Sequence, residues 1–249
     1  MSLALTTPNT DYAKATSNIN AAIATVSYPF AISSWYYNHG TSYPITLNFI
    51  RSGGSTSLFE KIDTGPVMYG MHFDGTTSQG GVQTVGLWPG ADQWIHTFVV
   101  WSAVNTVSRI CINGVDKNVT AQGSAATTLG TIDELGAGLG LGTGKVALYG
   151  LYAGATSFST GDTDQLAGIG TSSGVVYSPE LVHASECKHS WSFDKAVHGA
   201  SWLNDRVGSA TMALQGAATN DDSSMPAGTI TYSSSSPGRK YFFLKSMSE

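Results

Sequence analysis

Two adjacent carboxylates, Asp133 and Glu134, come nearest to a hydrolytic pair in this chain. Hydrolysis of a glycosidic bond needs two carboxyls flanking the same bond, one as acid and one as base or nucleophile. Neighbouring positions on a strand project to opposite faces, and no third acid follows at a spacing of two. The pair therefore reads as one exposed carboxylate and one associated with a turn. His183, Cys187 and His189, with Glu186 among them, are zinc-ligand types. The spacing H-x3-C-x-H fits no common zinc module, and no second ligand pair stands nearby, so a loop feeding a strand is expected. Residues 136–145 (GAGLGLGTGK) suggest a phosphate loop, but Leu139 stands where the first glycine is needed and Val146 replaces the Ser or Thr. No spacing sets Ser, His and Asp in a recognisable catalytic frame, so no catalytic residue is assigned. Asn118-Val119-Thr120 is a glycosylation sequon, expected to be silent in a chain that opens without a secretory leader.

The elements that must carry these residues are almost all strands. Residues 28–37 (YPFAISSWYY) are apolar on both alternating faces, as in a sandwich interior. Residues 45–50, 57–62, 67–73, 82–87 and 94–102 follow as strands. Residues 108–112 and 115–117 flank Asn113-Gly114, a strong hairpin signal. Further strands are expected at 131–135, 145–152, 187–193 and 210–214. Helix signals are confined to residues 13–25, where Ser, Thr and Asn recur, and to 160–169. Many short strands separated by turn residues indicate a sandwich or barrel.

Composition agrees. Of 249 residues 41% are hydrophobic, enough for a large core, while only 12% are charged, against roughly 25% in an average globular protein. A net charge of −5 with scattered basic residues argues against nucleic-acid binding. No run of apolar residues is long enough to span a membrane. Two cysteines, Cys111 and Cys187, are too few for a disulfide framework; Cys111, in an apolar alternating run, reads as a small buried hydrophobe.

The order of segments carries a resemblance. Tyr28-Pro29-Phe30-Ala31-Ile32-Ser33-Ser34-Trp35, after Thr10-Asp11-Tyr12, resembles the opening strands of the laminin-G-like jelly rolls of the concanavalin A-like superfamily. Trp94 to Val100, Arg109 to Val115, Thr131 to Gly136, Gly144 to Tyr152, His189 to Asp194 and Val207 to Leu214 resemble its later motifs in the same order. The match runs from Leu3 to Ala227 and implies an all-β, antiparallel β-sandwich jelly roll. The fold hosts binding modules, enzymes and structural proteins alike. Relatives of this kind bind calcium on loops, and here Asp63, Asp74, Asp221 and Asp222 could supply hard oxygen ligands, although none forms a spaced calcium loop. Glycan binding would use aromatic residues near loops: Tyr36, Tyr37, His39 and Trp88.

Two segments are expected: the jelly roll at 1–227, then a polar linker and docking tail at 228–249. In the tail, Arg239, Lys240, Tyr241, Phe242, Phe243 and Leu244 place an apolar run beside basic residues, which suggests docking on a neighbouring subunit. A leaderless jelly roll is expected either to be intracellular or to leave by lysis, as the decorations and tail appendages of tailed bacteriophages do. The leading expectation is a non-enzymatic virion surface protein, homo-oligomeric and touching other virion subunits or a cell-surface glycan. The alternatives are a free, extracellular carbohydrate-binding lectin and a divergent glycoside hydrolase.

Overall fold

Period-two placement of side chains sets which face of the sheet each strand residue meets. A computed structural model describes residues 2–6, 10–38, 45–52, 56–63, 67–73, 78–85, 92–103, 106–121, 130–138, 144–154, 157–172, 174–221, 229–232 and 243–245. Its strands, in chain order, are β1 (Ser2–Leu5), β2 (Tyr12–Ala15), β3 (Phe30–Asn38), β4 (Ile45–Ser52), β5 (Thr56–Asp63), β6 (Val67–Phe73) and β7 (Ser78–Val85). Then come β8 (Trp94–Ala103), β9 (Thr106–Ile112), β10 (Val115–Asp116), β11 (Asn118–Ala121), β12 (Glu134–Ala137) and β13 (Gly144–Ala153). The last are β14 (Val175–Tyr177), β15 (Cys187–Trp191), β16 (Ala213–Gln215), β17 (Thr219–Asp221), β18 (Thr229–Tyr232) and β19 (Phe243–Lys245). Among the described residues three short helices interrupt them: α1 (Ala21–Ala24), α2 (Thr160–Ala167) and α3 (Lys195–His198).

Two antiparallel sheets form the sandwich. The central sheet has the order β10-β9-β8-β3-β13-β1-β17, with β15 also paired to β13. The outer sheet has the order β11-β7-β6-β5-β4-β12-β2-β16. Between them Phe30, Ile32, Val99, Trp101 and Leu151 of the central sheet meet Ile50, Leu58, Met68 and Leu135 of the outer one. The other face of the central sheet is covered as well. There Phe98, Val100 and Tyr152 pack against Leu166 and Val182, while Trp35, Ala147 and Leu148 pack against Val176, Ile230 and Tyr232. This second layer explains why β3 is apolar on both sides. Each large side chain sealed there contributes about 1.5–3 kcal/mol.

The Asn113-Gly114 hairpin forms as its residues require. Both have positive φ (49° and 73°), the pattern of a type I′ turn, and Ile112 pairs with Val115. A side chain at Gly114 would collide with Ile169, so the turn also packs against the end of α2.

Several boundaries differ from expectation. Of residues 13–25 only Ala21–Ala24 is helical, capped by Asn20 Oδ1, which accepts from Ala22 N at 2.9 Å. Tyr12–Ala15 is a strand instead, because Ala13 and Ala15 alternate into the core. The strand expected from Thr131 begins at Glu134. Helix α2 opens with a capping box between Ser159 and Asp162. The expected linker is the largest departure. Strand β18 pairs in parallel with β14, and Ile230 and Tyr232 are buried, so residues 229–232 pack with the sandwich. The polar neighbours in TITY had concealed two inward-facing apolar positions. The backbone of β19 pairs antiparallel with β18 of the same chain.

Candidate functional site

The expected residues do not converge. Tyr36 is a correction: it is fully buried, and its hydroxyl donates to Glu60 Oε2 at 2.9 Å. It shares the inward face of β3 with Phe30 and Ile32, so no sugar can stack on it. Tyr37, on the opposite face, is half-buried; its ring meets Trp94 edge-on at 5.7 Å, with Lys145 Nζ 5.3 Å from its centre. Asp221 is paired with the same Lys145 at 2.5 Å. Asp63 is described only as the backbone end of β5, paired with Val67. His39, Trp88, Asp74, Asp222, Arg239, Lys240, Tyr241 and Phe242 lie outside the described residues, and Phe243 and Leu244 are described as backbone alone.

The chemical candidates separate too. Glu134 is held by Lys14 at 3.0 Å and Arg51 at 3.2 Å, beside a cavity of about 350 Å³ that Thr16 and exposed Asp133 also line. His183 faces Asp162 at 2.9 Å, whereas His189 is sealed against Asp205 at 2.5 Å. His189 Nε2 accepts from Asn20 N, so Nδ1 carries the proton that faces Asp205. Both cysteines are free and buried, and among the described residues no group of three His, Cys, Asp or Glu could hold a metal. One motif escaped the sequence reading: Gly170-Thr171-Ser172-Ser173-Gly174 has the spacing of a nucleophile elbow. That elbow requires strand, turn, helix; here helix α2 precedes a 3-10 turn (Gly170–Ser172) and strand β14 follows.

A cleft of about 520 Å³ lies where the chain crosses from β10 in the central sheet to β11 in the outer one. That volume falls in the ordinary range for small-molecule sites. Pro29, Val100, Val119 and the Phe158 ring give it apolar walls, and Ser108, Asp116, Lys117 and Ser157 give it polar ones. Arg109 organises it. Its Nε and Nη2 grip the two Asp116 oxygens at 2.7 and 3.2 Å. Nη1 reaches the carbonyls of Phe158 (2.8 Å) and Ser159 (3.5 Å), and Nη2 reaches Thr163 Oγ1 (3.3 Å). All five N–H groups therefore have partners, and the guanidinium ties the β9–β10 hairpin to the start of α2. Asp116 keeps a side-chain exposure of 56% and presents a fixed acceptor to the cleft. Burial would raise its carboxyl, but the hydrogen bonds from Arg109 and Cys111 outweigh that and hold its pKa below the usual value. Asp162 behaves alike: burial raises it, and Ser159 and His183 pull it down further. Cys111 donates to Asp116 Oδ1 at 2.7 Å, and burial keeps the thiol protonated well above its ordinary range.

Glu60 is shifted in the opposite direction from Asp116 and Asp162. It is fully buried, and desolvation pushes it up to about 7 although Tyr36, Asn48 and Thr97 stabilise its charge. Its signal was present in SLFEKI, where an acid occupies the inward register between Leu58 and Ile62.

No protein-family model matches the chain, and no curated protein matches it in sequence. Solved structures match in shape. A heptameric SAP-like pentraxin from Limulus polyphemus is 9% identical, with 67% of this chain and 81% of that chain covered and a TM-score of 0.48. A candidate carbohydrate-binding protein from Bacteroides ovatus is 12% identical over 87% of this chain and 61% of its own, with a TM-score of 0.49. Botulinum neurotoxin type C, whose cell entry depends on two ganglioside molecules, is 14% identical over 63% and 42%, with a TM-score of 0.46. The chain thus spans less than two thirds of the last two proteins. At these scores the fold rests on this chain's own strand order, and any function on its own side chains.

Proposed function

We propose that this protein is a non-catalytic carbohydrate-binding β-sandwich whose ligand occupies the cleft around Asp116. A sugar offers vicinal hydroxyls and apolar C–H faces. The cleft answers with a fixed carboxylate acceptor, the Ser108 and Ser157 hydroxyls, the Lys117 ammonium and an apolar wall of Phe158, Val100 and Val119. The observation that carries the non-catalytic part is electrostatic. A glycosidase acid needs a raised pKa in the cleft. Here Asp116, the carboxylate that lines the cleft, is lowered, and Glu60, which is raised, is closed off from solvent. A glycan array followed by calorimetric titration tests this reading, with Ser108→Ala and Phe158→Ala expected to weaken binding at least about tenfold, one lost contact of roughly 1.4 kcal/mol. No hit on the array, or release of reducing ends from a bound glycan, would sink it.

No observation among the described residues favours a virion role over this one. Docking of the tail on a neighbouring subunit is likewise a proposal, for which deletion of residues 237–249 and a measurement of assembly is the test. Calcium is a third, which would have to draw Asp221 away from Lys145.

A further inference from the structure

A group of polar side chains lies in the apolar space between the two main sheets. Glu60 enters from β5, Asn48 from β4, Ser34 and Tyr36 from β3, Thr97 from β8 and Tyr149 from β13, all with 0% exposure. One side of the group is satisfied. Glu60 Oε2 accepts from Tyr36 Oη at 2.9 Å and from Asn48 Nδ2 at 2.8 Å. Asn48 Nδ2 also reaches Ser34 Oγ at 2.8 Å and makes a close contact with Tyr36 Oη. The remaining oxygens of the group, Glu60 Oε1, Asn48 Oδ1 and Tyr149 Oη, have no hydrogen-bond partner among the described residues. Tyr149 lies within electrostatic reach of the carboxyl, because the Glu60 charge adds to burial in raising its hydroxyl. Orphaned buried oxygens are costly and rare, and three in one group point to a guest that binds them together.

Counting donors and acceptors identifies the guest. Asn48 Oδ1 is always an acceptor, and a phenol both donates and accepts. With Glu60 ionised, the guest must donate twice, to Oε1 and Oδ1, and accept once, from Tyr149. With Glu60 neutral and its proton on Oε1, the guest must accept that proton's bond and still donate to Oδ1. A water molecule has two donors and two lone pairs and meets both demands by turning. Calcium needs six or more oxygens, and this group has three without partners. We propose that Glu60, Asn48 and Tyr149 enclose a binding site for a single water molecule between the two sheets. The water lets the carboxyl change protonation with no rearrangement of the strands.

Crystals of the wild-type protein at high resolution, grown in rubidium chloride, test the proposal without a variant. The expected result is one water peak within hydrogen-bonding distance of all three oxygens and no anomalous signal there. A rubidium peak would make the site a monovalent-cation site, and a direct bond from Tyr149 Oη to Glu60 would remove the need for a guest; either overturns the proposal. Oxygen-17 relaxation dispersion provides a second reading in solution. Wild-type protein should show one more long-lived water than Glu60→Met, and equal numbers in two folded proteins would also overturn it.

Discussion

Replacing Glu60 by Gln should remove a pH dependence that the native core carries. The carboxyl has an ordinary value of 4.5 and lies near 7 in the folded protein, because burial disfavours its charge more than Tyr36, Asn48 and Thr97 favour it. A pKa raised by folding means that the native state holds the proton more tightly than the unfolded chain does. The corresponding stability is complete below about pH 4.5, declines as pH rises towards 7, and is gone above it. The rise from 4.5 to about 7 corresponds to about 3 kcal/mol. For a chain of this size that is about 6–12 °C in melting temperature. The assay is urea unfolding of wild type and Glu60→Gln from about pH 4.5 to about pH 8.5, read as the difference between the two so that other titrating groups cancel. Glu60→Gln should gain about 3 kcal/mol on wild type across that interval, with the change centred between 4.5 and 7. A difference that stays constant within about 0.5 kcal/mol would refute the reasoning, because it would mean that the carboxyl is solvated or paired with a cation.

Arg109→Ala should cost about 1–2 kcal/mol, since it removes the grip on exposed Asp116 and frees the carbonyls of Phe158 and Ser159; hydrogen exchange should rise first at the start of α2. His189→Leu should cost about 3 kcal/mol in urea unfolding, because Asp205 loses a sealed donor. Tyr232→Phe should cost about 1–2 kcal/mol by removing the 2.8 Å hydrogen bond that Tyr232 Oη donates to buried Asp194 Oδ2. A loss below about 0.3 kcal/mol would mean that β18 is not held by that bond.

Much of the sandwich was legible because its signals are local. Asn113-Gly114 specified its hairpin, and the two-sided apolar run of β3 announced a buried strand. The errors arose where local and tertiary signals part. Tyr12–Ala15 carries two alanines, good helix formers, yet period-two burial against the core makes it a strand. Thr229 to Tyr232 resembles a polar linker until β14 supplies a partner. The site was less legible still. Tyr36 reads as a loop aromatic by its position, and only the strand register shows that it faces Glu60. Arg109 and Asp116 face each other across the Asn113-Gly114 hairpin, but Phe158 is distant in sequence and reaches Arg109 only because the hairpin packs on α2, a contact that no spacing announces.

The central claim, a cleft that binds a glycan and does not cleave it, is tested most directly by one titration. Wild-type protein and Phe158→Ala are titrated with the strongest hit of a glycan array while reducing ends are counted. The account predicts saturable binding by the wild type, affinity at least about tenfold weaker in the variant, and no increase in reducing ends. Equal affinities in the two proteins, or steady release of reducing ends, would contradict it.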